Sequence, residues 1–210
     1  TSSNALNTIR NVGIGDPLVL LKYEILSPNN KEEISIKHRL LLGTGIKLPL
    51  GSSYQDFIND TPMDENLLQL QLGTGSFDWI INANYQVRSK SLGLQTDISF
   101  KQNFVNKFGF EKGKQLNVQA NFFYQKKWSK TVMMAILGAV YENAASDKIN
   151  KNRLINTGGS NLYGNVGAEI FMKKVSVYFN YQPLLSQTLN GFQMKNYLRF
   201  TIGMNYNFRH

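Results

Sequence analysis

The sequence predicts an all-β chain folded as an antiparallel up-and-down transmembrane β-barrel, with nine or ten strands in its 210 residues. Three observations predict it. The first is the run Asn196 to Phe208. Leu198, Phe200, Ile202, Met204, Tyr206 and Phe208 share one parity, and Tyr197, Arg199, Thr201, Gly203, Asn205 and Asn207 share the other. Strand side chains alternate between faces, so one face is apolar and the other mostly polar. The run is about as long as a bilayer-crossing strand, roughly 9–11 residues, and it ends in an aromatic residue. The second observation is strand length: the alternation from Ile34 to Leu48 outlasts the roughly 10 residues usual in soluble sheets. The third is the rhythm of the connections. They are short at 27–32, 89–91, 127–130 and 173–174, and long at 49–76, 105–113, 143–159 and 186–195. Outer-membrane barrels have short periplasmic turns and longer outer loops, an order that a Greek-key sandwich has no reason to keep. With the C-terminus periplasmic, all four long loops fall outside.

Taken in order, residues 1–16 are rich in Ser, Asn and Gly and read as a loop. Pro17 opens a strand to Leu26, with Val19, Leu21, Tyr23 and Ile25 on one parity. The stretch Ser27 to Lys31 carries the Pro and Asn of a turn. Ile34 to Leu48 sets its even, apolar positions against Lys37, Arg39 and Lys47. Residues 67–72 offer a short extra strand before the Gly73-Thr74-Gly75 break. Strands at Phe77 to Val87, Leu92 to Phe104 and Gln115 to Lys126 alternate cleanly. Thr131 to Glu142 is apolar on both parities, so its faces stay unassigned. Asn161 to Met172 and Val175 to about Leu185 complete the set before the final strand. That makes nine. Bacterial single-chain barrels use even numbers, and strand one starts from the long-loop side. The chain is therefore expected to be one barrel domain over 1–210 that lacks its N-terminal strands, unless residues 4–12 or 67–72 supply another.

Composition narrows the classes. Mean hydropathy is −0.29, which a barrel with a polar interior allows. The longest apolar run, Val132 to Tyr141, is far short of the roughly 18 residues of a membrane helix. There is no cysteine, hence no disulfide, thiolate nucleophile or thiolate metal site. The net charge of +9 is scattered rather than gathered in a stripe, which argues against nucleic acid. Ten Tyr, thirteen Phe and two Trp suit interfacial aromatic girdles, and a sandwich core would use them too.

Three stretches carry a resemblance: Gly13-Ile14-Gly15-Asp16 leading into LVLLKY, Gly43 to Pro49 (GTGIKLP), and Leu70 to Trp79 (LQLGTGSFDW). Together they resemble the outer-membrane transporter-like family associated with the meta-pathway of phenol degradation, distantly similar to fatty-acid-transporter barrels. The resemblance covers the first half; the second half matches only as a generic barrel. It implies an outer-membrane location, about twelve strands in the intact protein, and passage of small, often hydrophobic molecules. It brings no catalytic residue with it.

The charges that fall on the polar parity are the candidate lumen-lining residues: Lys22, Lys37, Arg39, Lys47, Asp78, Arg88, Asp97, Lys101, Glu169 and Arg199, with Glu24 among them. On the lipid face a midplane Lys or Arg costs roughly 2–4 kcal/mol, and the apolar parity nearly lacks them. Inside, such charges make either a polar pore favouring anions or a salt-bridge network that fills a narrow barrel. Enzyme chemistry is weakly signalled. His38 sits on the apolar parity, and His210 is terminal. Asp60, Asp64 and Glu65 lack the spacing of a Ca²⁺ loop. No cofactor or metal is expected. The expected function is a channel or transporter for small hydrophobic or anionic molecules. The alternatives are a non-transporting accessory barrel of an envelope complex and, last, a lipid-acting barrel enzyme. Expected partners are outer-membrane lipid and lipopolysaccharide, a small solute and other envelope proteins.

Overall fold

A computed structural model describes residues 13–28, 36–51, 71–206 and 208. The fold is all-β. Its long strands are β1 (Leu18–Leu26), β2 (Ile36–Lys47), β3 (Asp78–Ser89) and β4 (Leu92–Asn103). After the two-residue β5 (Phe110–Glu111) come β6 (Gln115–Trp128) and β7 (Thr131–Ala144). The short β8 (Lys148–Ile149) and β9 (Asn152–Arg153) precede β10 (Gly159–Met172), β11 (Val175–Leu189) and β12 (Leu198–Tyr206). Among the described residues nine strands form one sheet in the order β1-β2-β3-β4-β6-β7-β10-β11-β12, each antiparallel to its neighbours. This is an up-and-down meander. Among the described residues β1 and β12 are its two edges and do not pair with each other.

Register settles which side chains share a face, because directly paired residues point the same way. The pairs Val19↔Ile46, Ile46↔Trp79, Ile81↔Phe100, Phe122↔Leu137 and Leu137↔Val166 run the apolar face across the sheet. The face of the twofold-apolar strand is fixed the same way. Phe122↔Leu137 and Tyr124↔Ala135 put Met133, Ala135, Leu137, Ala139 and Tyr141 of β7 on the apolar face. Ile136 and Val140 therefore lie on the other.

The two faces differ in exposure in the reverse of the water-soluble order. On the apolar face Phe200, Ile202 and Met204 are 66, 69 and 71% exposed. On the polar face Asn82, Asn121 and Asn165 are buried, with Phe123, Val140 and Tyr163 beside them. Side chains on the polar side reach past their immediate neighbours: Arg199 of β12 pairs with Glu142 of β7, three positions along the sheet. Neighbouring strands also pack closely. The Phe123 ring lies across Gly93, its partner on β4, where an added Cβ would sit 2.3 Å from ring carbon Cζ. Tyr178 covers Gly203 of β12 in the same way. Glycine lets a neighbouring ring lie flat where any side chain would push it off.

Connections alternate as the sequence predicts. The pairs Ser89↔Leu92, Trp128↔Thr131 and Met172↔Val175 close three two-residue hairpins at one end. Each opens on a left-handed non-glycine residue: Lys90 (φ 50°), Ser129 (φ 56°) and Lys173 (φ 50°). The fourth short connection, Ser27 to Lys31, lies partly outside the described residues, and the β1–β2 pairing stops at Leu26↔Leu40. At the opposite end the long connections pack on one another. Asn106 Nδ2 donates to Thr74 O (3.0 Å), Gly113 N to Asp147 Oδ1 (2.8 Å) and Asn190 Nδ2 to Thr157 O (3.0 Å). This stitches the segments after β2, β4, β7 and β11 into a rim, with Phe110 buried inside it.

Several boundaries depart from the sequence reading. The polar loops at 105–113 and 143–159 contain β5, β8 and β9, a three-stranded sheet too short to show periodicity. β11 runs on to Leu189, past the expected end near Leu185, because a register shift against Leu162/Tyr163 lets pairing resume. Ile34 and Ser35, the candidate strands at 4–12 and 67–70, the acidic loop Asp56 to Glu65 and His210 lie outside the described residues. Of 67–72, Gln71 and Leu72 belong to none of the named strands.

Candidate functional site

The polar face is the candidate site, and register places all ten of the charged residues on it. They sort along the strands into three groups.

At the rim end, Lys47 closes β2 opposite Asp78, the first residue of β3. The Lys47 Nζ lies 2.5 Å from Asp16 Oδ2 and 2.9 Å from Asp78 Oδ2, and it also bonds the Thr74 hydroxyl. Asp16 accepts from the amides of Thr74 (2.8 Å) and Gly51 (2.9 Å). Thr74 Oγ1 meets Ser76 Oγ at 3.0 Å, and Ser76 donates to Asp78 Oδ1 at 2.9 Å. The three glycine-rich stretches of the sequence, 13–16, 43–49 and 70–79, thus meet at one buried ammonium. Burial raises the Asp16 carboxyl pKa, but the bonds from Lys47, Thr74 and Gly51 outweigh it and hold the value below the ordinary 3.8. Lys101 lies on the same face one strand over, paired with Ile80 and Gln115.

Asp16, Thr74 and Ser76 were not among the sequence candidates. They sit outside the alternating strands, so periodicity says nothing about them. The one available signal was a small polar residue inside each glycine-rich stretch.

Across the middle, side chains bond in ladders. Asp97 accepts from Asn82 (3.0 Å) and Asn84 (3.2 Å) on β3. Farther along, Asn165 donates to Asn121 (2.9 Å), Gln182 to Asn165 (3.1 Å) and Arg199 to Gln182 (2.5 Å). Arg199 also pairs with Glu142 at 2.6 Å and lies 4.2 Å from the Tyr163 ring centroid. Lys22 faces Gly43.

At the hairpin end, Glu169 accepts from Ser176 (2.7 Å). Near the β1–β2 connection, Arg39 Nε donates to Glu24 at 2.8 Å. Lys37 stands directly opposite Arg88. A cavity of about 310 Å³ opens there, lined by Lys37, Arg39, Arg88, Glu24, Gln86 and Ser27 among others.

His38 is on the apolar face, where its Nδ1 meets Tyr85 Oη at 2.7 Å. Among the described residues no group of three His, Asp or Glu is placed to hold a metal ion. In the rim Asp147 is buried, and that burial raises its carboxyl pKa against the smaller opposing pulls of the Gly113 amide and Lys112. No protein-family model and no curated protein matches this chain.

Proposed function

We propose that this chain is an outer-membrane β-barrel that admits or carries small molecules along its polar face. The observation that carries the reading is the inverted exposure of the two faces. Among the described residues a contiguous apolar surface crosses nine strands with no layer packed on it, far beyond the few hundred Å² that soluble monomers leave open. Its central rows hold no carboxylate, Lys or Arg, and Lys126 comes in only near a hairpin tip, opposite Met133. Acyl chains are the solvent such a surface suits, with lipopolysaccharide and phospholipid as its neighbours. In hydrocarbon a sheet edge must be paired, so β1 and β12 each have a strand against them in the membrane-embedded protein. The resemblance to transporter-like barrels agrees with this reading, and the hairpin end is then periplasmic.

A second reading has its own support. The ladders linking Asn121, Asn165, Gln182, Arg199 and Glu142 fill space that a wide channel would leave to water. A barrel filled in this way serves as an accessory subunit of an envelope complex. The third reading, a lipid-acting enzyme, rests on His38 alone.

The native protein reconstituted in liposomes separates these. Swelling or planar-bilayer current with a size series of sugars, organic anions and small aromatic solutes is the expected result. Tight vesicles with every solute would overturn the transport reading and leave the accessory one.

A further inference from the structure

We infer that the hairpin end of the polar face holds a binding site for a small oxyanion, a carboxylate or a phosphate group, between Lys37 and Arg88. The inference rests on the transport reading only in taking the bound anion for the solute.

Lys37 and Arg88 are direct cross-strand partners on β2 and β3, both half-buried on the polar face. Like charges placed directly opposite destabilise a sheet. The same face supplies a ready alternative two residues on. There Arg39 stands opposite Gln86, a pairing without repulsion, and its Nε is held by Glu24. Three cations and one carboxylate therefore line the same cavity, and that carboxylate is bonded to Arg39. Neither Lys37 nor Arg88 bonds a carboxylate among the described residues, and the 310 Å³ cavity lies against both.

The chemistry of the lining selects the ligand. A guanidinium offers parallel N–H donors that match the two oxygens of a carboxylate or phosphate, and the Lys37 ammonium adds a point charge. The Gln86 amide and Ser27 hydroxyl provide neutral hydrogen bonds in the same cavity. Partial burial raises the strength of each charged contact over its value in water. A bound oxyanion turns the Lys37/Arg88 repulsion into two attractions.

Calorimetric titration of the native protein, in zwitterionic detergent at low ionic strength, tests the site with inorganic phosphate and with acetate. Saturable binding near one per chain is expected. Lys37→Gln and Arg88→Gln each weaken it tenfold or more, Lys37→Arg retains it, and Lys112→Gln at the rim leaves it unchanged. Without added anion, Lys37→Gln unfolds at no lower urea concentration than the parent, because a repulsion has been removed. A second arm titrates phosphatidylglycerol in mixed micelles. Binding there alone assigns the site to a lipid headgroup, and binding of free phosphate assigns it to a soluble anion. No saturable binding in either arm, or equal weakening by Lys112→Gln, overturns the site. Binding without flux in the swelling assay would keep the site and remove the transport reading, and flux without binding would do the reverse.

Discussion

Asp16 and Asp147 are both carboxyl groups in the rim, yet their environments move them in opposite directions. Around Asp16 the Lys47 ammonium and two amides favour the ionised form, and the pKa is lowered. The folded state then binds fewer protons than the unfolded one as pH falls toward the ordinary 3.8. Asp16 therefore adds stability that is complete above that value and is lost as pH drops through the folded pKa. Asp147 has the Gly113 amide at 2.8 Å and no ion pair among the described residues, so burial dominates and its pKa is raised. Its folded form takes up a proton first, and stability falls as pH rises from 3.8 through the folded pKa. Asp147→Asn keeps an oxygen for Gly113 and removes the buried charge. It should raise the urea midpoint at pH 7 and leave that of pH 3 nearly unchanged. Lys47→Met should do the opposite at pH 7, costing about 3–5 kcal/mol by leaving Asp16 and Asp78 buried without their cation. A Lys47→Met protein as stable as the parent would mean that water reaches the two carboxylates.

At the scale of the strand, the sheet makes a sharp claim about two neighbours. Leu137 on β7 points from the apolar face and is 63% exposed, while Gln119 on β6 points to the polar face opposite Asp97. In lipid vesicles Leu137→Lys should cost about 2–4 kcal/mol and Gln119→Lys much less, read from urea unfolding monitored by circular dichroism. Similar costs for the two would remove the distinction between the faces. The contrast also shows what periodicity can and cannot disclose. β2, β3, β4 and β12 were legible because an apolar row and a polar row alternate with few exceptions, such as Leu41 and Ile80 on the polar side. β7 was not, because its inner residues Ile136 and Val140 pack with Phe123 and Tyr163 in an apolar patch on the polar side. Only pairing with β6 and β10 separates its rows. The rim was illegible for a different reason. Asp16, Thr74 and Asn106 act through tertiary contacts between segments far apart in sequence, and β5, β8 and β9 are each two residues long.

The whole molecule carries its own test in its two tryptophans. Both lie on the apolar face but at opposite ends of the strands. Trp79, the second residue of β3, lies beside the rim, is 47% exposed and donates from Nε1 to Thr44 Oγ1 at 2.7 Å. Trp128 ends β6 at a hairpin tip and is 72% exposed. An indole with an apolar body and one polar N–H favours the boundary between headgroup and acyl chain. In a sheet that spans a bilayer the two would therefore report from opposite interfaces. Lipids brominated near the headgroup end of the acyl chain should quench both, and lipids brominated near the terminal methyl should quench neither strongly. The variants Trp79→Phe and Trp128→Phe assign each signal. Iodide added outside sealed vesicles should reach at most the one indole on its own side. A water-soluble sheet would give the reverse pattern, with iodide quenching both residues and brominated lipid neither. Quenching of Trp128 alone would describe a sheet that lies on the membrane by its hairpin end. The polar face could not then serve as a path across, whatever it binds.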